Sequence, residues 1–98
     1  MNNTLVRNLV TRGRHFTIVR NQDGWYLAIE DKYITDGKIN KTLNGIEMCA
    51  SHTLNECLSR LNDKVEIAYL ISQGYDKAEA FAMHFNMMDR IDAVRQMF

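Results

Sequence analysis

Cys49, His52 and Cys57 are the residues of this 98-residue chain whose types and spacing come nearest to a reactive constellation. Thiolate sulfur and imidazole nitrogen are ordinary zinc ligands, and C-x2-H-x4-C straddling a helix start would offer three donors. A structural zinc site wants four. The other histidines, His15 and His84, lie far off along the chain, and there is no second C-x2-C pair. Neither cysteine has a base and an orienting group at a spacing that makes a nucleophile. Glycine-rich phosphate loops, a His-x-x-x-His helix and paired-carboxylate motifs are all missing. The expectation is a chain with no catalytic residue, no metal and no cofactor, in which the cysteines pack as small hydrophobes. An enzyme would instead need a concave pocket gathering at least two of His15, His52 and His84.

The elements that must position any site follow from length and patterning. A chain this long makes one domain, residues 1–98, burying about 65% of its unfolded surface. Twelve basic and twelve acidic side chains balance, so no whole-molecule field draws in DNA, membrane or an acidic substrate. Locally the balance fails: Arg7, Arg12, Arg14 and Arg20 precede the first acid, and residues 51–98 carry five basic against seven acidic groups. No apolar run is long enough for a signal peptide or a membrane span, which reads as cytoplasmic, where two cysteines stay reduced.

In RHFTIVR, Phe16 and Ile18 alternate against Thr17 and Val19; NQDG follows, then WYLAI with Trp25, Leu27 and Ile29 on one face. That face is the expected sheet contribution to the core. Tyr33 to Thr35, the Asp36-Gly37 turn and Lys38 to Lys41 predict another hairpin, and Asn44-Gly45 another turn before Ile46 and Met48. Leu5 to Val10 reads equally as an edge strand or a short helical turn. From Thr53, with Glu56 as capping partner, Leu54, Cys57, Leu58, Leu61, Val65 and Ala68 recur at helical spacing. The fold expected is α+β: an N-terminal antiparallel meander of three to four strands, about 14–48, packed against two to three C-terminal helices, about 52–98.

Two helices meet at a corner in IAYLISQGYDKAEAFAMHF, where Gly74 permits a left-handed backbone and Asp76 with Glu79 makes a capping box. Ala78, Phe81, Ala82 and Phe85 predict the next apolar stripe. Met87, Ile91, Val94 and Phe98 then repeat helically, either as a continuation of that helix or as a new one starting near Asn86 or Asp89. A DNA-reading helix-turn-helix wants a small residue where Leu70 stands, and Asp76 and Glu79 fall where phosphates would be met. The corner also resembles ubiquitin-associated domains, in which a Gly-Phe or Gly-Tyr loop joins two helices, matched here by Gly74-Tyr75. That resemblance implies three helices and no sheet.

Two surfaces are candidates for binding. Methionine is adaptable and polarizable, so Met83, Met87, Met88, Ile91, Val94, Met97 and Phe98 predict a protein-binding face, for another protein or for a second copy in a homodimer. Alternatively Arg12, Arg14 and Arg20 with Tyr26 interleave basic and aromatic groups on a hairpin, a nucleic-acid-binding arrangement for an accessory or regulatory protein.

Gly24 to Leu61, with its aromatic strand, Tyr-Ile-x-x-Gly turn, Leu-Asn-Gly turn and capped helix, resembles small accessory proteins of bacterial conjugative elements and phages; QGYDKAEAFAMHFN fits the same group. The resemblance implies a mobile-element protein acting by binding, with anti-CRISPR inhibitors of host defence nucleases as a prominent class. A neutral chain cannot mimic the charge of DNA, so steric docking or dimerisation of the partner is the implied mode. The function expected from the sequence is a non-catalytic protein-binding module with no membrane segment.

Overall fold

The computed structural model describes residues 3–39 and 47–98. It is an antiparallel sheet of four strands followed by three helices. Strands β1 (Thr4–Thr11), β2 (Arg14–Arg20), β3 (Tyr26–Glu30) and β6 (Glu47–Ser51) lie in the order β1-β2-β3-β6. Between β3 and β6, β4 (Ile34–Thr35) and β5 (Lys38–Ile39) form a separate two-stranded ribbon. The helices are α1 (Leu54–Ser72), α2 (Lys77–His84) and α3 (Ile91–Arg95). Two compact units divide the chain within α1: Met1–Asn62 and Asp63–Phe98.

In the first unit, Leu5 to Val10 belongs to an edge strand, so the sheet begins ten residues before the expected start at 14. Its turn into β2 is Arg12-Gly13, both at positive φ, 52° and 72°. Such a turn suits the twist of a two-residue hairpin, and glycine takes the second position without strain. The Asp36-Gly37 turn has the same form, with φ of 52° and 75°, but its short strands do not join the main sheet. A single 3-10 turn, Asp31–Tyr33, carries the chain away after β3. The Asn44-Gly45 turn lies outside the described residues.

Ile18, Ala28 and Cys49 are direct partners across β2, β3 and β6, so they share one face with Phe16, and all four are buried. The first turns of α1 lie on this face: Cys57 meets Cys49, and Arg60 donates to the Ala50 carbonyl at 3.2 Å. The expected face of Trp25, Leu27 and Ile29 is the opposite one. Ile29 there is fully buried, Leu27 half-buried and Trp25 exposed with its ring stacked on His52 at 3.9 Å. Strand β3 thus buries apolar groups on both faces, which period-two alternation does not anticipate.

The second unit is three-helical: α1 from Asp63, then α2 and α3. Helix α1 closes on Gly74 at φ 106°, with Tyr75 N–H donating to the Leu70 carbonyl and Gly74 N–H to that of Ile71, a Schellman closure. Helix α2 closes the same way on Asn86 at φ 57°, through Met87 N–H to Ala82 and Asn86 N–H to Met83. Residues 76–98 are therefore two helices separated by a 3-10 turn at Met88–Arg90.

Candidate functional site: the corner and the C-terminal aromatic cluster

The corner is locked at Asp76. Its carboxylate accepts from Glu79 N–H at 2.8 Å, Glu79 Oε1 accepts from Asp76 N–H at 3.1 Å, and Arg95 Nη1 donates to Asp76 Oδ2 at 2.9 Å. The Glu79 amide first, and Arg95 second, hold the Asp76 carboxyl below its ordinary pKa, and the Asp76 hydrogen bond raises that of Arg95. The start of α2 is thereby tied to the end of α3. Inside, Ala78, Ala82 and Val94 form the core, with Phe81, Met87 and Ile91 packed against it. The two alanines have no side chain beyond Cβ, which lets α3 approach closely enough to seat Val94.

Outside, aromatic rings form a chain. Phe81 sits 4.6 Å from Phe85 and 5.4 Å from Phe98, and His84 lies 4.8 Å from Phe85. Lys77 Nζ stands 5.1 Å above the Phe98 ring. Asp76, Lys77, Ala78, Arg95 and Phe98 line a shallow depression of about 260 Å³. Phe98 in that lining is 52% exposed, and the chain neighbours of two lining residues, Tyr75 before Asp76 and Met97 before Phe98, are 40% and 64% exposed.

Of the protein-binding residues expected from sequence, Met88, Met97 and Phe98 are exposed and Met83 is half-buried. Met87 and Ile91 line the core from its margin. Val94 requires correction: it is fully buried, because the Asn86 break folds α3 back onto Ala78 and Ala82, so no partner can touch it. Phe85, expected in the stripe of α2, is instead exposed. Tyr75, known from sequence only as part of the Gly74-Tyr75 loop, and Lys77 were not among the expected binding residues. The signal for Tyr75 was its place after the helix-ending glycine, where a side chain leaves the helix surface.

The basic hairpin is largely engaged within its own unit. Arg14 forks onto Glu30, Nη2 to Oε1 at 2.7 Å and Nε to Oε2 at 3.1 Å. That hydrogen bond holds the Glu30 carboxyl below its usual range and raises Arg14. The Arg20 guanidinium lies 5.7 Å from the centre of the Tyr26 ring, and exposed Arg12 sits in the β1–β2 turn, also with a partner. The histidines have separate surroundings. His15 lines a charged hollow with Arg14, Glu30 and Lys32, His52 stacks on Trp25, and His84 pairs with Asp63 at 2.7 Å. Of the C-x2-H-x4-C set, only the two cysteines come together. Among the described residues, no helix is long and apolar enough to cross a membrane.

No protein-family model, no curated protein and no solved structure matches this chain.

Proposed function

We propose that the protein is a non-catalytic docking module that binds another protein through the surface around Tyr75, Met97 and Phe98. The observation that carries this reading is apolar side chains of large area standing exposed beside a depression whose rim is fixed by the Asp76–Arg95 pair. Aromatic and methionine side chains are what protein interfaces enrich at their centres, the rings burying much area with little loss of rotamer freedom and methionine adapting its shape to the partner. Lys77 at the rim, with Arg95 neutralised by Asp76, favours a partner carrying an acidic group beside an apolar patch. The resemblance of residues 24–61 to mobile-element accessory proteins makes a host defence nuclease the first partner class to screen.

The test is site-specific photocrosslinking. A photoreactive phenylalanine analogue at position 98 should capture a protein partner in the host, whereas the same probe at exposed Asn55 should not. Replacing Tyr75 and Met97 by serine, with the probe kept at position 98, should abolish capture and leave the thermal unfolding midpoint within a few degrees. Equal capture from both positions refutes the docking surface. Retention of nucleic acid instead, with steep loss as salt rises and on substitution of Arg12 and Arg20, would move function to the hairpin.

A further inference from the structure

The two cysteines lie together in the first unit. Cys49, in β6 at the edge of the sheet, and Cys57, in the first turns of α1, bring their sulfurs to 3.3 Å, and Cys49 Sγ lies 3.1 Å from the Cys57 carbonyl. Both are free thiols and both are buried. Two thiols of a folded chain at van der Waals contact need move by little more than an ångström to reach a covalent S–S separation of about 2.05 Å.

We infer that Cys49 and Cys57 form a reversible disulfide, a covalent clasp between β6 and α1 that closes when the protein meets a small-molecule disulfide such as oxidised glutathione. The Cys49 thiolate attacks one sulfur of the oxidant, forming a mixed disulfide and releasing one glutathione thiol. Cys57, on losing its proton, attacks the Cys49 sulfur and releases the second. Two protein S–H bonds and one glutathione S–S bond become one protein S–S bond and two glutathione thiols. Burial, with the hydrogen bond to Cys49 adding to it, pushes the Cys57 thiol up to about 12. The reaction is accordingly slow at neutral pH and speeds up with rising pH or with loosening of the first turn of α1.

Thermodynamic linkage fixes the size of the effect. The fold favours the bond over the same bond in the unfolded chain by the factor through which the bond favours the fold. For a loop of this length that factor is roughly a hundredfold. The test equilibrates the reduced protein at mildly alkaline pH with glutathione buffers of graded ratio, folded and in urea, then alkylates with N-ethylmaleimide and weighs the products. The expected result is a species two hydrogens lighter, without maleimide, giving a peptide that joins positions 49 and 57. It should form at a far more reducing ratio in the folded than in the unfolded chain, and dithiothreitol should reverse it. Cys49→Ser and Cys57→Ser should each yield at most a glutathione adduct. Two maleimide adducts at every ratio, accumulation of glutathione adducts in the wild type, or equal formation in folded and unfolded chains would each overturn the inference.

Discussion

Arg14→Met should destabilise the first unit more than Glu30→Gln does, although both break the same ion pair. The asymmetry comes from burial: the Glu30 side chain is 8% exposed and that of Arg14 32%. Removing Arg14 strands a carboxylate out of water, with only the exposed Lys32 ammonium, 3.9 Å away, to compensate. A buried charge losing its partner costs about 3–5 kcal/mol, and the partial exposure of Arg14 with the nearness of Lys32 brings this to about 2–3. Removing the charge of Glu30 leaves a guanidinium that reaches water, and glutamine still accepts one hydrogen bond, so about 1 kcal/mol is lost. Replacing both by methionine should come within about 1 kcal/mol of wild type. The pH dependence checks the cause. In the wild type Arg14 depresses the Glu30 pKa, so the unfolded chain binds the proton first: the contribution is complete above the ordinary value of 4.5 and is lost as pH falls through the folded value. In Arg14→Met only burial and weak help from Lys32 remain, the folded pKa moves up, and the deficit shrinks as pH falls below that raised value. Urea unfolding of the four chains at neutral pH and near pH 4 measures this. Equal losses for the two single variants, or an Arg14→Met deficit unchanged by pH, would refute the reasoning.

Leu61→Ala removes a fully buried side chain from α1 and should cost about 2–5 kcal/mol in denaturant unfolding. Gly74→Ala meets no neighbouring atom within 4 Å, so its whole effect is the φ of 106°; about 1–2 kcal/mol should be lost in denaturant unfolding. Ser51→Ala should leave the unfolding midpoint unchanged or raise it by the equivalent of about 1 kcal/mol, because the Ser51 hydroxyl is buried and has no hydrogen-bond partner among the described residues.

Local chemistry was legible wherever one or two residues decide a conformation. Asp36-Gly37, Gly74, and Asp76 with Glu79 each announce a turn, a helix end or a helix start, and each adopts it. Thr53 accepts from Glu56 N–H as a cap should, at 3.1 Å, while the Glu56 carboxylate pairs with Arg60 at 2.7 Å. Spacing located Cys57, Leu61 and Val65, one turn apart and all buried. What spacing could not supply was the partner of each segment. A strand of Leu5, Val6 and Val10 that stays largely exposed carries no alternating signature, since neither face is committed to a core. Arg12 at positive φ gives no compositional hint of the turn that pairs β1 with β2.

The candidate site was half legible for a related reason. Val94 and Met97 stand three residues apart near the end of one short helix, and nothing in their apolar character separates them; one is wholly buried and the other 64% exposed. What separates them is Asn86. Its left-handed backbone ends α2 after two turns and aims α3 back across Ala78 and Ala82, leaving one side of that helix to the core. A short helix of five residues has only one side to give, so the methionine and phenylalanine that follow remain outside, over the rim that Asp76 and Arg95 hold. Substituting Asn86 by valine, which disfavours that backbone, should therefore do two things together: lower the unfolding midpoint, and weaken partner capture at position 98 although residue 86 need touch no partner. Loss of stability with capture intact at full folding would show that the apolar surface does not depend on the break.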